Sequence, residues 1–104
     1  MVNTVTPQEA EALISRGDLD VVDVREPREW STGHIPRARL VPLDKLKANP
    51  RESLPRDGVV FVCARGMRSL TAAKLAEAVG LTQLYNVAGG TIGWSGAGLP
   101  LVRG

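Results

Sequence analysis

The sequence predicts an α/β fold of three layers, with a mostly parallel central sheet of about five short strands and helices on both faces. LDVVDV (19–24) is a short β-branched run whose apolar character suits a strand buried on both faces, VVFV (59–62) is the most hydrophobic strand, and LYNV (84–87) reads as a final one. Between them lie segments whose apolar residues recur at helical spacing. Strands alternating with helices are the pattern of a parallel sheet covered on both sides.

In chain order, Thr6 with Pro7 and Glu9 forms a capping box that starts a helix. Ala10, Leu13 and Ile14 continue it, and Gly17 stops it. The strand at 19–24 follows, then a helix of about two turns that opens at Pro27 and closes at Gly33. RLVPL (39–43) reads as a short strand and LDKLKANP (43–50) as a brief helix ended by Asn49 and Pro50. PRESLPRDG (50–58) reads as a loop leading to the most hydrophobic strand, Val59 to Val62. In SLTAAKLAEAV (69–79), Ala72, Leu75, Ala76 and Val79 mark an amphipathic helix with Gly80 as its stop. After the strand at 84–87, AGG makes a turn and TIGWSGAG (91–98) a short helix or irregular cover.

The chain has 104 residues, 43% hydrophobic and 23% charged, which suits one soluble domain spanning 1–104 with a single core. Its formal charge of +2 is spread among acids, so no basic face is expected for nucleic acid or membrane. The apolar run beside the cysteine is far shorter than the roughly 20 residues of a membrane helix. No basic segment followed by an apolar stretch opens the chain, and a reduced thiol in the cytoplasm is the expectation. Cys63 and His34, the only cysteine and histidine, are too few for a closed zinc site, so neither metal nor cofactor is expected.

Cys63 stands where the most hydrophobic strand gives way to a helix, the junction at which α/β domains gather functional groups. In CARGMRS (63–69), Gly66 lets the backbone curl and Ser69 falls near the place of a helix cap. Such a turn aims successive N–H groups at one point, and Arg65 and Arg68 add positive charge. A thiol held there ionises more readily than free cysteine, which makes Cys63 a candidate nucleophile. The plain alternative, a small hydrophobe ending a core strand, explains the cysteine but not the glycine and two arginines behind it. Cysteine phosphatases resemble Cys-x5-Arg, whereas here the arginine comes one residue earlier, at Arg68. A loop one residue shorter suits a sulfur atom on the cysteine better than a phosphate.

With that spacing the loop Cys63-Ala64-Arg65-Gly66-Met67-Arg68 resembles the Cys-x-x-Gly-x-Arg loop of rhodanese-type sulfurtransferases. DVREPREWSTGHIPRA (23–38) and GGTIGW (89–94) are similar to two further family segments, in the family's order. The resemblance implies a rhodanese-like domain in which Cys63 takes a sulfane sulfur from a donor such as thiosulfate, becomes a persulfide, and hands the sulfur to cyanide or a thiol. A thioredoxin-like or sulfur-carrier protein is one form of that thiol acceptor. A persulfide carrier fed by a partner protein, and more remotely a phosphatase, remain alternatives.

Residues 64–69 are expected to line the site, with Arg68 gripping the sulfonate end of the donor. Asp23, an acid at the end of a hydrophobic strand, needs a partner, and Arg25 or a loop N–H can supply it. Both residues are read as supporting the site. His34 is read as structural, because an ionised thiol needs no general base. Trp30 and Trp94 are read as core anchors, and Gly89 and Gly90 as turn formers. Arg37 departs from the glycine the family often has after Gly-His-Ile-Pro.

Overall fold

The computed structural model describes residues 1–103. Five parallel strands form one sheet in the order β1-β5-β4-β2-β3, from β1 (Val2–Val5), β2 (Asp20–Asp23), β3 (Arg39–Leu40), β4 (Val59–Val62) and β5 (Leu84–Val87). Six helices connect and cover them: α1 (Pro7–Ser15), α2 (Pro27–Trp30), α3 (Leu43–Ala48), α4 (Pro50–Ser53), α5 (Met67–Ala78) and α6 (Gly90–Gly96). Among the described residues no helix is long and apolar enough to cross a membrane.

The middle strand, β4, is buried along its whole length and sends alternate side chains to two cores. Phe61 and Cys63 join Val22, Leu46, Ala72, Ala73 and Ala76 beneath α3 and α5. Val60 and Val62 join Ala10, Ile14, Val87 and Trp94 beneath α1 and α6. On α5 the buried positions are Ser69, Ala72, Ala73 and Ala76, a stripe of small residues at helical spacing that seats the helix closely on the sheet.

The capping box of α1 forms as expected: Glu9 N donates to Thr6 Oγ1 at 3.1 Å, and Thr6 N to Glu9 Oε1 at 2.8 Å. Several elements differ from the sequence reading. β1, an edge strand with only Val2 and Val5 half-buried, was located by no run in the sequence; it forms by pairing with β5. The strand expected at 39–43 holds only two residues, because Leu43 already opens α3. The expected loop at 50–58 starts with a helical turn, α4, for which Pro50 at the first position is preorganised. Beyond Pro27, α2 makes a single regular turn, and Gly33 takes up a positive φ of 147° just after it.

Arg37 is the one non-glycine among the described residues with a positive φ, 74°. The turn there keeps the left-handed backbone at a cost of about 1–2 kcal/mol, partly offset by a bond from Nη1 to the Ile14 carbonyl at 3.2 Å.

One exposed carboxylate ties the α5–β5 connection to the start of β4. Asp57 accepts from Gly58 N at 2.8 Å, Gln83 N at 3.0 Å and Thr82 Oγ1 at 2.7 Å. The Thr82 hydroxyl, then the backbone amides, hold its acid down to about 2. Its folded value lies below the unfolded value of about 3.9, so this stabilisation is present above pH 4 and is lost as the pH falls toward 2. Asp57→Ala is expected to lower stability by about 1–2 kcal/mol in a denaturant titration at neutral pH, with the difference shrinking in acid.

Candidate active site

The turn after β4 brings a thiol and a cluster of donors together. Gly66 adopts φ 98° at the N-cap of α5, and that left-handed bend aims its N–H at Cys63 Sγ, 3.1 Å away. Ser69 lies in the first turn of the helix, fully buried, with Oγ 3.3 Å from the same sulfur. It is therefore no cap, contrary to the sequence reading; α5 starts two residues earlier than the apolar pattern indicated.

Cys63 is 1% exposed, at the floor of a hollow of about 350 Å³ that Glu29, Ala64, Arg65, Met67 and Arg68 also line. Burial, the largest single influence, pushes the thiol up. The Ser69 hydroxyl and the backbone N–H groups of Ser69, Arg65 and Gly66 together outweigh it and hold the thiol below its ordinary value. The expected depression is present, but hydrogen bonds rather than the two arginines produce it.

Arg65 is exposed on the turn. Arg68, half-buried, turns its fork to a side chain of the same chain: Nη1 and Nη2 donate to Glu29 Oε1 and Oε2 at 2.8 and 2.9 Å. The Arg68 guanidinium pulls the Glu29 carboxyl down to about 2 against the upward push of burial, so the pair stays charged at any ordinary pH. The sequence points Arg68's fork at a substrate oxyanion and does not single out Glu29, which occupies that fork here.

Asp23 and Arg25 form the expected buried pair. Arg25 Nη2 lies 2.8 Å from Asp23 Oδ2, its own N–H donates to Asp23 Oδ1 at 2.9 Å, and Nη2 also reaches the Gly33 carbonyl at 2.7 Å. The charges are thus compensated in place, and Arg25 shapes the wall of a wider cleft of about 650 Å³. Ala64 and Glu29 belong to both hollow and cleft, and Thr32, Ile92, Ser95 and Leu101 line the cleft's outer part.

His34 sits apart from both spaces. Its ring stacks on Trp30 at 3.5 Å between centroids and 4° between planes, and its Nδ1 lies 3.1 Å from the Trp30 carbonyl oxygen. Trp30 is half-buried and covers this histidine, so it is not the core anchor expected. Trp94 is one, 2% exposed with Nε1 donating to the Pro100 carbonyl at 2.8 Å.

Besides Glu29, two contributions have no signal in the sequence. Asn86 on β5 accepts from Ser69 Oγ at 2.5 Å and donates from Nδ2 to the Gly66 carbonyl at 3.3 Å. The start of α6 grips the turn from the other side: Thr91 N donates to the Cys63 carbonyl at 2.8 Å and Ile92 N to the Ala64 carbonyl at 3.1 Å. Gly90 makes that approach possible, so it does more than form a turn; a Cβ there would lie 2.2 Å from the Cys63 carbonyl oxygen. Among the described residues no group of side chains could hold a metal ion.

Five parallel strands, with a thiol met by a backbone amide at the end of the middle one, define a small α/β protein built around a cysteine turn. The chain belongs to the rhodanese-like domain family, whose model matches residues 6–97. A sulfurtransferase of Allochromatium vinosum is 34% identical over 104 residues, covering 98% of this chain and 96% of that protein. A rhodanese-related protein of Thermoplasma volcanium superposes with a TM-score of 0.84 at 30% identity, covering 96% of this chain and 97% of the other. The human single-domain sulfurtransferase TSTD1 superposes at 0.75 with 29% identity, over 89% of this chain and 95% of that one.

Proposed function

We propose that this chain, acting in the cytoplasm, takes a sulfane sulfur from a small anionic donor of the thiosulfate type, carries it as a persulfide on Cys63, and passes it to cyanide or a thiol. The observation that carries this reading is the Gly66 N–H aimed at Cys63 Sγ from 3.1 Å, in a turn whose other donors favour the thiolate. In the first step the thiolate attacks the outer sulfur of thiosulfate, the S–S bond of the donor breaks, and sulfite leaves with the bonding pair. Cys63 then bears a terminal sulfur with one negative charge. In the second step the acceptor attacks that sulfur, the new S–S bond breaks, and the Cys63 thiolate is restored. Splitting one transfer into two keeps each barrier low, and preorganised amides serve the anion in both. Neither step calls for a cofactor.

The decisive measurement is the mass of the intact protein after brief exposure to thiosulfate. A gain of one sulfur atom, reversed by cyanide, is expected; no gain in a protein whose thiol still alkylates defeats the reading. A second reading, a carrier loaded by a partner protein, is favoured by one observation: Glu29 occupies the Arg68 fork that a small anion would use. Sulfur gained only from a protein persulfide, and never from thiosulfate, selects that reading.

The Glu29–Arg68 pair sets a further expectation. Removing Arg68 as Arg68→Ala leaves an uncompensated carboxylate on the wall of the hollow, whereas Glu29→Gln frees the guanidinium for an anion. Steady-state kinetics should give a KM for thiosulfate about three- to tenfold higher in the first variant and lower by a similar factor in the second, with kcat little changed in both. Equal KM values in the two variants would remove both side chains from donor binding.

A further inference from the structure

A buried hydroxyl beside the thiol has only one proton to give and two acceptors competing for it. Ser69 is fully buried and Asn86 is 4% exposed, so water cannot settle the contest. Asn86 donates from Nδ2 to the Gly66 carbonyl, which turns its own carbonyl oxygen toward Ser69. At 2.5 Å, the Ser69 hydroxyl donates to that oxygen. Its lone pairs are then left to accept from the Cys63 S–H at 3.3 Å. With a neutral thiol the chain of donors is complete: Cys63 to Ser69, Ser69 to Asn86, Asn86 to Gly66. Ionisation removes the first donor, and the Ser69 proton must then leave Asn86 if it is to serve the thiolate. Whichever acceptor loses is a buried polar atom short of a donor.

We propose that Asn86 is a positioning residue that competes with Cys63 for the Ser69 proton and so leaves the sulfur less ready to ionise than the donors of the turn would make it without that competitor. Asn86 touches neither donor nor acceptor of sulfur; it acts through Ser69. The assignment rests on Cys63 being the reactive thiol of the proposed transfer. The charged groups around that thiol are Arg65 and Arg68 on its own turn and helix and Glu29 from α2, which line its hollow, and the mutually paired Asp23 and Arg25 at and just beyond the end of the adjoining strand. β5 and α6 bring no charged side chain, so replacing Asn86 by an apolar residue leaves every one of these charges in place.

The test is the pH dependence of Cys63 alkylation by iodoacetamide, which follows the thiolate fraction. In Asn86→Val the proton is freed for the sulfur, a gain on the order of tenfold in thiolate fraction. The lower nucleophilicity of a more acidic thiol takes back about a factor of three. The profile is therefore expected to move to lower pH, with alkylation below the midpoint about threefold faster. Ser69→Ala should move the profile the opposite way, and Ser69→Ala with Asn86→Val should match Ser69→Ala alone. Should the valine variant fail to fold, Asn86→Ala carries the same comparison. A profile that stays put or rises in the Asn86 variants overturns the proposal, because loss of the Gly66 contact alone would loosen the turn and weaken the thiolate. So does a shift that persists undiminished without Ser69. Alkylation reports the thiol whether or not sulfur is transferred. A wild-type protein that gains no sulfur from any donor, yet shows these shifts, loses the function and keeps the Asn86 assignment; normal transfer without the shifts does the reverse.

Discussion

Gly90→Ala is expected to be among the most destabilising single-methyl additions in the chain, lowering stability by at least about 3 kcal/mol and the melting temperature by upwards of about 10 °C. The added Cβ would stand 2.2 Å from the Cys63 carbonyl oxygen and 2.5 Å from the Ala64 carbonyl carbon and oxygen, all of them backbone atoms that no rotamer change can move. Residue 90 also has φ 58°, a left-handed conformation that adds its own cost for alanine. The chain can relieve the clash only by separating α6 from the turn, which breaks the bonds from Thr91 and Ile92 to the two carbonyls. Whatever folded protein remains should therefore lose sulfur transfer as well as stability. Calorimetry reads the first effect and thiocyanate production the second. A variant that melts like the parent would show that the α6 clamp is dispensable.

Cys63→Ser is expected to abolish sulfur uptake from thiosulfate and turnover to thiocyanate while leaving the fold intact. A serine oxygen fits the space of the sulfur, and the Gly66 N–H that now meets Sγ at 3.1 Å can donate to it. Yet a hydroxyl at that point remains protonated at neutral pH and forms no stable sulfur adduct, so the covalent path closes entirely. Thermal melting should change little, and mass spectrometry should find no added sulfur. Transfer that survives in this variant would place the chemistry on another group.

The reactive turn was legible in the sequence because its parts are adjacent: one cysteine, a glycine three residues later and an arginine two after that state both the bend and its charge. The alternation of short apolar runs with a helical pattern around Ala72 and Ala76 likewise exposed the layering. What stayed hidden reaches the turn from afar. Asn86 and Glu29 lie 17 and 39 residues from their partners Ser69 and Arg68, and no local pattern distinguishes an asparagine on a strand from a solvated one. Ser69 was misread for a related reason: its residue type signals a cap, while its burial, which only packing of α5 on the sheet decides, makes it a neighbour of the sulfur. The size of Trp30 alone points to the core, whereas its partner is the ring of His34. β1 escaped because an edge strand of four residues acquires its conformation from β5 rather than from its own sequence.

The position of β4 in the middle of the sheet has one more implication. Its residues are wholly enclosed by neighbours on both edges and both faces, whereas Arg28, Thr32, Ile92 and Ser95 around the cleft stand in water. Amide hydrogens beneath the thiol should consequently exchange only when the entire molecule unravels, while those of the rim exchange through small local excursions. An inherited change of substrate would thus meet little resistance from stability at the rim, and the same floor can serve many different customers.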